Sequence, residues 1–261
     1  MPVVIANPDN LDDRNPEFKH EQLKTHVFLN SVPKSGSHLL KNIFRMFVSV
    51  DQQYGVDFIQ YPTLEQHYAA FASETPQLSW GHLLFADSSA IALKDLNHIL
   101  LIRDPYDWVL ARTRFFLSDN FQGNLEHLKH GNTNIDDFMN MMIFGVHNRF
   151  PNMNEIYLNN AVAWLGTSVN VVRYEELILQ LKQIDTEAAK AYFTNLLGYA
   201  GIELPDDWKL RVKIGSDRKQ SGTAREHLKM KGQTVPNVLP DMQKKLVNYA
   251  CTGLREILGY A

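Results

Sequence analysis

Apolar positions along this chain change period several times, and each change marks an element. Residues 25–32 hold the short run His26-Val27-Phe28-Leu29, rich in apolar and β-branched side chains and closed by Pro33, Ser35 and Gly36, as a buried strand entering a loop should be. Then Leu39, Leu40, Ile43, Phe44, Phe47 and Val48 recur at helical spacing, predicting an amphipathic helix over residues 37–50. Residues 77–82 predict a second strand. The clearest apolar run, His98-Ile99-Leu100-Leu101-Ile102, predicts a third and ends at Arg103-Asp104-Pro105, where Asp104 suits an N-cap and Pro105 a first helical turn. Residues 169–172 give a fourth strand, followed by Arg173-Tyr174-Glu175-Glu176 and another helix. Helical periodicity also fills residues 135–146, 154–164, 186–197 and 239–258. Strands separated by helices require right-handed crossovers and parallel pairing, so the expected class is α/β: a single domain with a central parallel sheet flanked by helices.

Composition narrows this picture in three ways. With 261 residues, 44% of them hydrophobic, the chain can bury one substantial core; the domain is expected over residues 25–261, after a polar lead-in, residues 1–24, that reads as turn chemistry rather than a packed element. The 26 basic against 29 acidic residues leave a net charge of -3, so any anion site must be a local cluster, and neither nucleic acid nor an anionic membrane is an expected partner. Cys251 is the only cysteine, which excludes an intramolecular disulfide and fits a reducing cytoplasm; no Cys/His cluster has metal-ligand spacing, and no export signal or membrane anchor is legible. Between residues 209 and 233 the chain turns polar, basic and glycine-containing, which predicts a loop ordered over a site.

Candidate chemistry gathers at three places. Val32-Pro33-Lys34-Ser35-Gly36-Ser37-His38 joins a buried strand to a helix N-terminus, where backbone N–H groups and the helix dipole can cradle an anion; an ordinary turn with a solvated lysine is the competing reading. Lys34 precedes Gly36, so the segment lacks the Gly-x-x-x-x-Gly-Lys-Ser/Thr spacing of nucleoside triphosphatases. Arg103 ends the third strand, where a guanidinium can clamp a phosphate through two parallel hydrogen bonds or simply pair with Asp104 or Asp107. A basic run, Arg218-Lys219-Gln220-Ser221-Gly222-Thr223-Ala224-Arg225-Glu226-His227-Leu228, lies near the end and reads otherwise as a solvated surface loop.

In this order the three segments resemble the sulfotransferases that use 3′-phosphoadenosine 5′-phosphosulfate (PAPS). Pro33-Lys34-Ser35-Gly36-Ser37-His38-Leu39 is similar to the family's Pro-Lys-Ser-Gly-Thr-Thr-Trp loop, with Ser37 keeping the first hydroxyl and His38 and Leu39 departing from Thr and Trp. Arg103-Asp104-Pro105-Tyr106-Asp107 resembles the 3′-phosphate segment Arg-Asn/Asp-Pro-x-Asp. The family's serine eight residues further on is Ala111 here, leaving Arg112 or Thr113 to take its part. Tyr174 resembles the tyrosine that contacts adenine, and Arg218-Lys219 the family's Arg-Lys-Gly loop, with Gln220 in place of the glycine.

The resemblance implies a P-loop-like strand-loop-helix, PAPS as donor, 3′-phosphoadenosine 5′-phosphate (PAP) as product, and no metal. It implies that Lys34, Ser35, Gly36, Ser37, His38, Leu39, Arg103, Thr113, Tyr174, Arg218 and Lys219 bind the donor, with Lys34 also catalytic. His82, in Trp80-Gly81-His82-Leu83-Leu84 and twenty-one residues before Arg103, resembles the family's histidine general base; an imidazole near neutral pKa can take an alcohol's proton. His38 and Glu65 are its rivals. Aromatic residues within 54–68 and 115–121 are candidates to line an acceptor pocket, and the absent export signal points to a diffusible small-molecule acceptor bearing a hydroxyl or amine. Two other classes stand beside this one: a magnesium-dependent kinase with a degenerate phosphate loop, and a nucleotide-binding relative without catalysis, prompted by the departures at His38, Leu39, Ala111 and Gln220.

Overall fold

A computed structural model describes residues 3–5, 8–55, 58–123, 125–222, 224, 228, 230, 232 and 234–260. Five strands, β1 (Val27–Ser31), β2 (Ile59–Gln60), β3 (Leu78–His82), β4 (Asn97–Ile102) and β5 (Asn170–Arg173), form one sheet in the order β2-β3-β1-β4-β5. Every pairing in it is parallel. β2 is too short to show a period in sequence and went unforeseen.

Helices occupy both faces: α1 (Ser37–Arg45), α2 (Asp87–Leu93), α3 (Pro105–Leu117), α4 (Ile135–Phe144), α5 (Met153–Asn160), α6 (Tyr174–Lys182), α7 (Glu187–Gly198), α8 (Trp208–Gly215) and α9 (Asp241–Ala250). Alternation along the strands divides the core. Val27, Leu29, Ile99 and Leu101 pack with Leu40, Ile43 and Phe44 of α1, Phe193 of α7 and Val212 of α8. Phe28, Leu100 and Ile102 point the other way, onto Trp108 of α3, Phe138 and Met142 of α4, and Tyr157 of α5. A side chain on each face of a central strand is therefore sealed from water, which explains why these strands read as unbroken apolar runs.

Three expectations are corrected. The first helix stops at Arg45, and residues 50–52 form a separate 3-10 turn. Residues 209–215 belong to α8 rather than a loop; Gly215 is the point of closest approach to α1, since a Cβ there would lie 2.5 Å from the carbonyl oxygen of Asn42. The lead-in is packed: a helical turn, Leu11–Arg14, buries Leu11 completely, and Arg45 of α1 bonds Asp9 and Asp12 at 2.9 and 2.7 Å. Periodicity missed it because one buried leucine and a long-range ion pair, not a repeating stripe, hold it down.

Candidate active site

Parallel pairing sends the carboxyl ends of all the strands to one edge, and the site follows from that register. Leu101 pairs with Ser31 and Ile102 with Arg173, so Pro33-Lys34, Arg103 and Tyr174 all emerge at this edge, as does His82 at the end of β3. Ligands of open α/β sheets bind at such an edge.

The β1–α1 turn is held in an uncommon shape. Lys34 adopts φ 71° and Gly36 φ 103°, both in the left-handed region, which costs a residue with a Cβ roughly 1–2 kcal/mol. Tertiary bonds hold the lysine there: Trp108 of α3 donates through Nε1 to the carbonyl of Pro33 at 2.6 Å, and Arg103 donates to the carbonyl of Lys34 at 3.5 Å. At Gly36 a side chain is excluded twice over, by φ and because a Cβ would meet Cδ2 of Tyr174 at 2.6 Å. The Arg103 guanidinium lies 4.3 Å over the same tyrosine ring. Lys34, Gly36, Arg103 and Tyr174, scattered over 140 residues of sequence, thus share one surface.

Asp104 does not take Arg103 as its partner. It caps α3 through the N–H of Tyr106 at 2.9 Å and pairs with Arg255 at 2.9 Å. Two polar atoms at this edge are sealed from water without a hydrogen bond among the described residues: Oγ of Ser35 and Nε of Arg103. Buried donors are nearly always satisfied, and the donor set at this edge, a hydroxyl and a guanidinium beside the Lys34 ammonium, is of the kind that a phosphate or sulfate oxygen accepts from. Oγ1 of Thr113 is likewise unpaired, but Thr113 is fully buried inside α3.

On the acceptor side, His82 accepts or donates through Nδ1 to Oγ of Ser31 at 2.9 Å, and Ser31 donates to Oγ of Ser37 at 2.8 Å. This chain ties the imidazole to the helix-start serine; Ser31 carried no signal in the sequence beyond its place at a strand end. Enclosure pushes the imidazole down to about 3, with the Lys34 charge as the next contribution, and pushes the Lys34 ammonium down to about 7. His82 is thus neutral at physiological pH. The Lys34 ammonium sits 3.0 Å from the Phe115 ring centroid, so at this edge it has an aromatic face in place of a carboxylate.

Lys34 and His82 line one cavity of about 510 Å³. Its walls include Phe58, Tyr61, Phe115, Phe116 and Phe121, drawn from the two aromatic stretches singled out in sequence, together with Phe150, which was not. Arg112 was a candidate for the 3′-phosphate side. It belongs instead to this cavity, donating to the carbonyls of Met142 and Pro151 at 3.2 Å each.

The remaining candidates sit around this centre. Ser37 begins α1, and Leu39 packs against the core beneath it. His38 stacks edge-on to Trp80 at 5.1 Å and is pushed down to about 3 by enclosure, with Lys41 and Lys34 adding to it; it does not line the cavity. Glu65 is exposed and also outside it. Arg218 and Lys219 are exposed on a 3-10 turn whose start is capped by Asp217; the turn is docked on α1 by Asn42, which donates to the carbonyl of Gln220 at 2.8 Å. Thr223, Arg225, Glu226 and His227 of that segment lie outside the described residues.

The family model described as "Sulfotransferase domain" matches residues 24–187, well over half of the chain. The chain belongs to the sulfotransferase family, and sulfuryl transfer is the activity this assignment carries. Two solved structures share its fold at low identity. Mouse sulfotransferase SULT7A1 complexed with PAP has 13% identity and a TM-score of 0.54, with 97% of this chain and 94% of that one covered. Retinol dehydratase in complex with androsterone and inactive cofactor PAP has 12% identity and a TM-score of 0.52, with 96% and 83% covered. No curated protein matches the chain in sequence. Among the described residues no helix is long and apolar enough to cross a membrane.

Proposed function

We propose that this protein uses PAPS to sulfate a hydroxyl or amine of a small molecule, with His82 as general base and Lys34 as the cation that stabilises the departing phosphate. PAPS supplies the sulfuryl group and a 5′-phosphate able to leave as an anion. The observation that carries the reading is the convergence of Lys34 and His82 on one aromatic cavity, while Arg103, with an unpaired buried Nε, reaches the carbonyl of the same lysine. Support comes also from the family assignment and from the PAP held by both structures of the same fold.

The residues divide the work by their chemistry. Nδ1 of His82 is engaged by Ser31, which leaves Nε2 to accept the acceptor's proton. An imidazole held near pKa 3 is a weak base, but the Lys34 charge is one cause of that depression; an anion against the ammonium cancels this part and raises the ring's proton affinity when it is needed. Lys34, whose protonated form a bound anion favours, offers positive charge where negative charge builds. Arg103 and Tyr174 grip the far end of the nucleotide with Arg218 and Lys219, and Ser35, Gly36, Ser37, His38 and Leu39 shape the near end. Thr113, with its hydroxyl sealed inside α3, is left out of this set. The family assignment does not favour the magnesium-dependent kinase.

We also place the protein in the cytoplasm, acting on a diffusible acceptor and not on nucleic acid. The net charge of -3 supports this, as does the single cysteine, buried with its thiol pushed up to about 11 and hence inert.

His82→Ala tests the assignment: turnover should drop by roughly 10² to 10⁴, while PAP binding, read by calorimetry, stays within a few-fold. Unchanged turnover removes His82 from the role of base.

A further inference from the structure

The cavity that Lys34 and His82 share is electrostatically one-sided. Arg112 and Arg149 line it together with Lys34, and among the described residues none of the lining is Asp or Glu, although acidic residues outnumber basic ones in the chain as a whole.

Arg112 is the informative one. Its residue is 4% exposed, and among the described residues its guanidinium touches only neutral groups: the carbonyls of Met142 and Pro151, and the rings of Trp108, Phe150 and Phe116 at 4.8, 5.0 and 5.4 Å. Burial pushes it down to about 9, and no carboxylate opposes the shift. A buried cation is ordinarily paired, because removing it from water costs several kcal/mol that two carbonyl bonds recover only in part. Those two bonds and the three rings fix the fork; among the described residues its other N–H groups carry no bond to a protein acceptor. Arg149 stands exposed at the rim of the same cavity.

The two cationic ends are separated by aromatic rings. Lys34 rests on Phe115, which neighbours Phe116 at 5.8 Å; Phe116 neighbours Phe150 at 5.5 Å, and Phe150 lies under Arg112. An acceptor lying along these rings with its hydroxyl or amine at His82 brings its opposite end toward the two arginines.

We propose that the acceptor of this enzyme is an anion: an aromatic or otherwise apolar molecule bearing a carboxylate or phosphate that Arg112 and Arg149 bind, at the end remote from the group that receives the sulfuryl. This rests on the sulfotransferase reading above and specifies its substrate class.

The test uses matched acceptors that differ in one charge, such as 4-ethylphenol and 3-(4-hydroxyphenyl)propanoate, with aliphatic hydroxy and amino pairs built the same way, followed by release of PAP from PAPS. The expected result is a kcat/KM at least tenfold higher for the anionic member of a pair. Arg112→Gln should abolish that preference, and Arg149→Gln, at an exposed position where folding is not at stake, should cut it several-fold. Equal or reversed preference in the unaltered protein overturns the proposal, as does a preference that survives both substitutions. PAP binding by calorimetry separates the two readings: its loss in the unaltered protein sinks both, whereas PAP bound normally with no preference for charge sinks the anion subsite alone.

Discussion

The donor edge and the acceptor cavity meet at Lys34 yet are built in opposite ways. The donor edge is made largely of consecutive residues at the ends of paired strands, Lys34 to Ser37, Arg103 and Tyr174, placed by the sheet register. The acceptor cavity rests on paired strand ends, Gln60 and His82, but most of its wall comes from loops and helices, with Phe58, Arg112, Phe116 and Phe150 brought together from separate segments. At the donor edge geometry is imposed on the backbone: Lys34 and Gly36 are left-handed, and polar atoms of Ser35 and Arg103 are buried without partners. Around the cavity the side chains do more of the work, through ring contacts and one guanidinium with no carboxylate partner among the described residues, although Asn148 beside Arg149 is itself left-handed, at φ 56°. Strain and unsatisfied donors persist only where the surrounding structure enforces them; the contrast separates an anion cradle set by the backbone from a wall set by side chains.

That contrast can be broken from either side. The largest effect is expected at the donor edge: Arg103→Ala removes a charged hydrogen-bonding group worth about 1.5–3 kcal/mol, so PAP affinity should fall by roughly 10- to 100-fold in calorimetry while discrimination among acceptors is unchanged. Full PAP affinity in this variant would dissolve the donor edge as a unit.

A pH titration of PAP binding is the next sharpest probe. With Lys34 near 7 in the free protein, anion binding favours the ammonium and raises its pKa. PAP affinity should therefore fall above about pH 7, by at most about tenfold per pH unit, with proton uptake visible as a dependence on buffer ionisation enthalpy; below about pH 6 it also weakens, in every variant, as the phosphates of PAP take up protons. Lys34→Arg, which cannot lose its proton in this range, should flatten the profile above about pH 7. A profile that rises with pH above about 7 would contradict the placement of the lysine.

The smallest effect belongs to the wall. Phe116→Leu trims half-buried ring contacts of about 0.5–1.5 kcal/mol, so the KM of an aromatic acceptor should rise roughly 2- to 10-fold with PAP affinity untouched. A change in PAP affinity instead would show the two regions to be one.

How much was legible in the sequence follows from the same division. The turn from Val32 to His38 and the end of the third strand could be read because strand, glycine, lysine and helix start lie within a few residues of one another. The stretches containing Phe58 and Phe115 to Phe121 were recognisable as aromatic, though not as facing one cavity. The sequence leaves open whether Arg112 or Thr113 stands in for the family serine at Ala111; which way a helical arginine points depends on the carbonyls of Met142 and Pro151, thirty and more residues away. Ser31, Phe150 and Arg149 gave no signal, because a serine in a strand and an arginine in a polar loop look the same whether or not they face a ligand.

By itself the sequence determined the alternation of strand and helix, the parallel sheet, and the cradle at the first crossover. These depend on periods of two and 3.6 residues and on φ angles that only a few residue types accept. Tertiary structure alone decided which side chains of the helices and loops converge, that Arg103 is spared by Asp104 in favour of Arg255, and that a buried arginine is left without a counter-charge among the described residues. Such facts depend on distances between residues far apart in the chain, which become defined only when both faces of the sheet are packed.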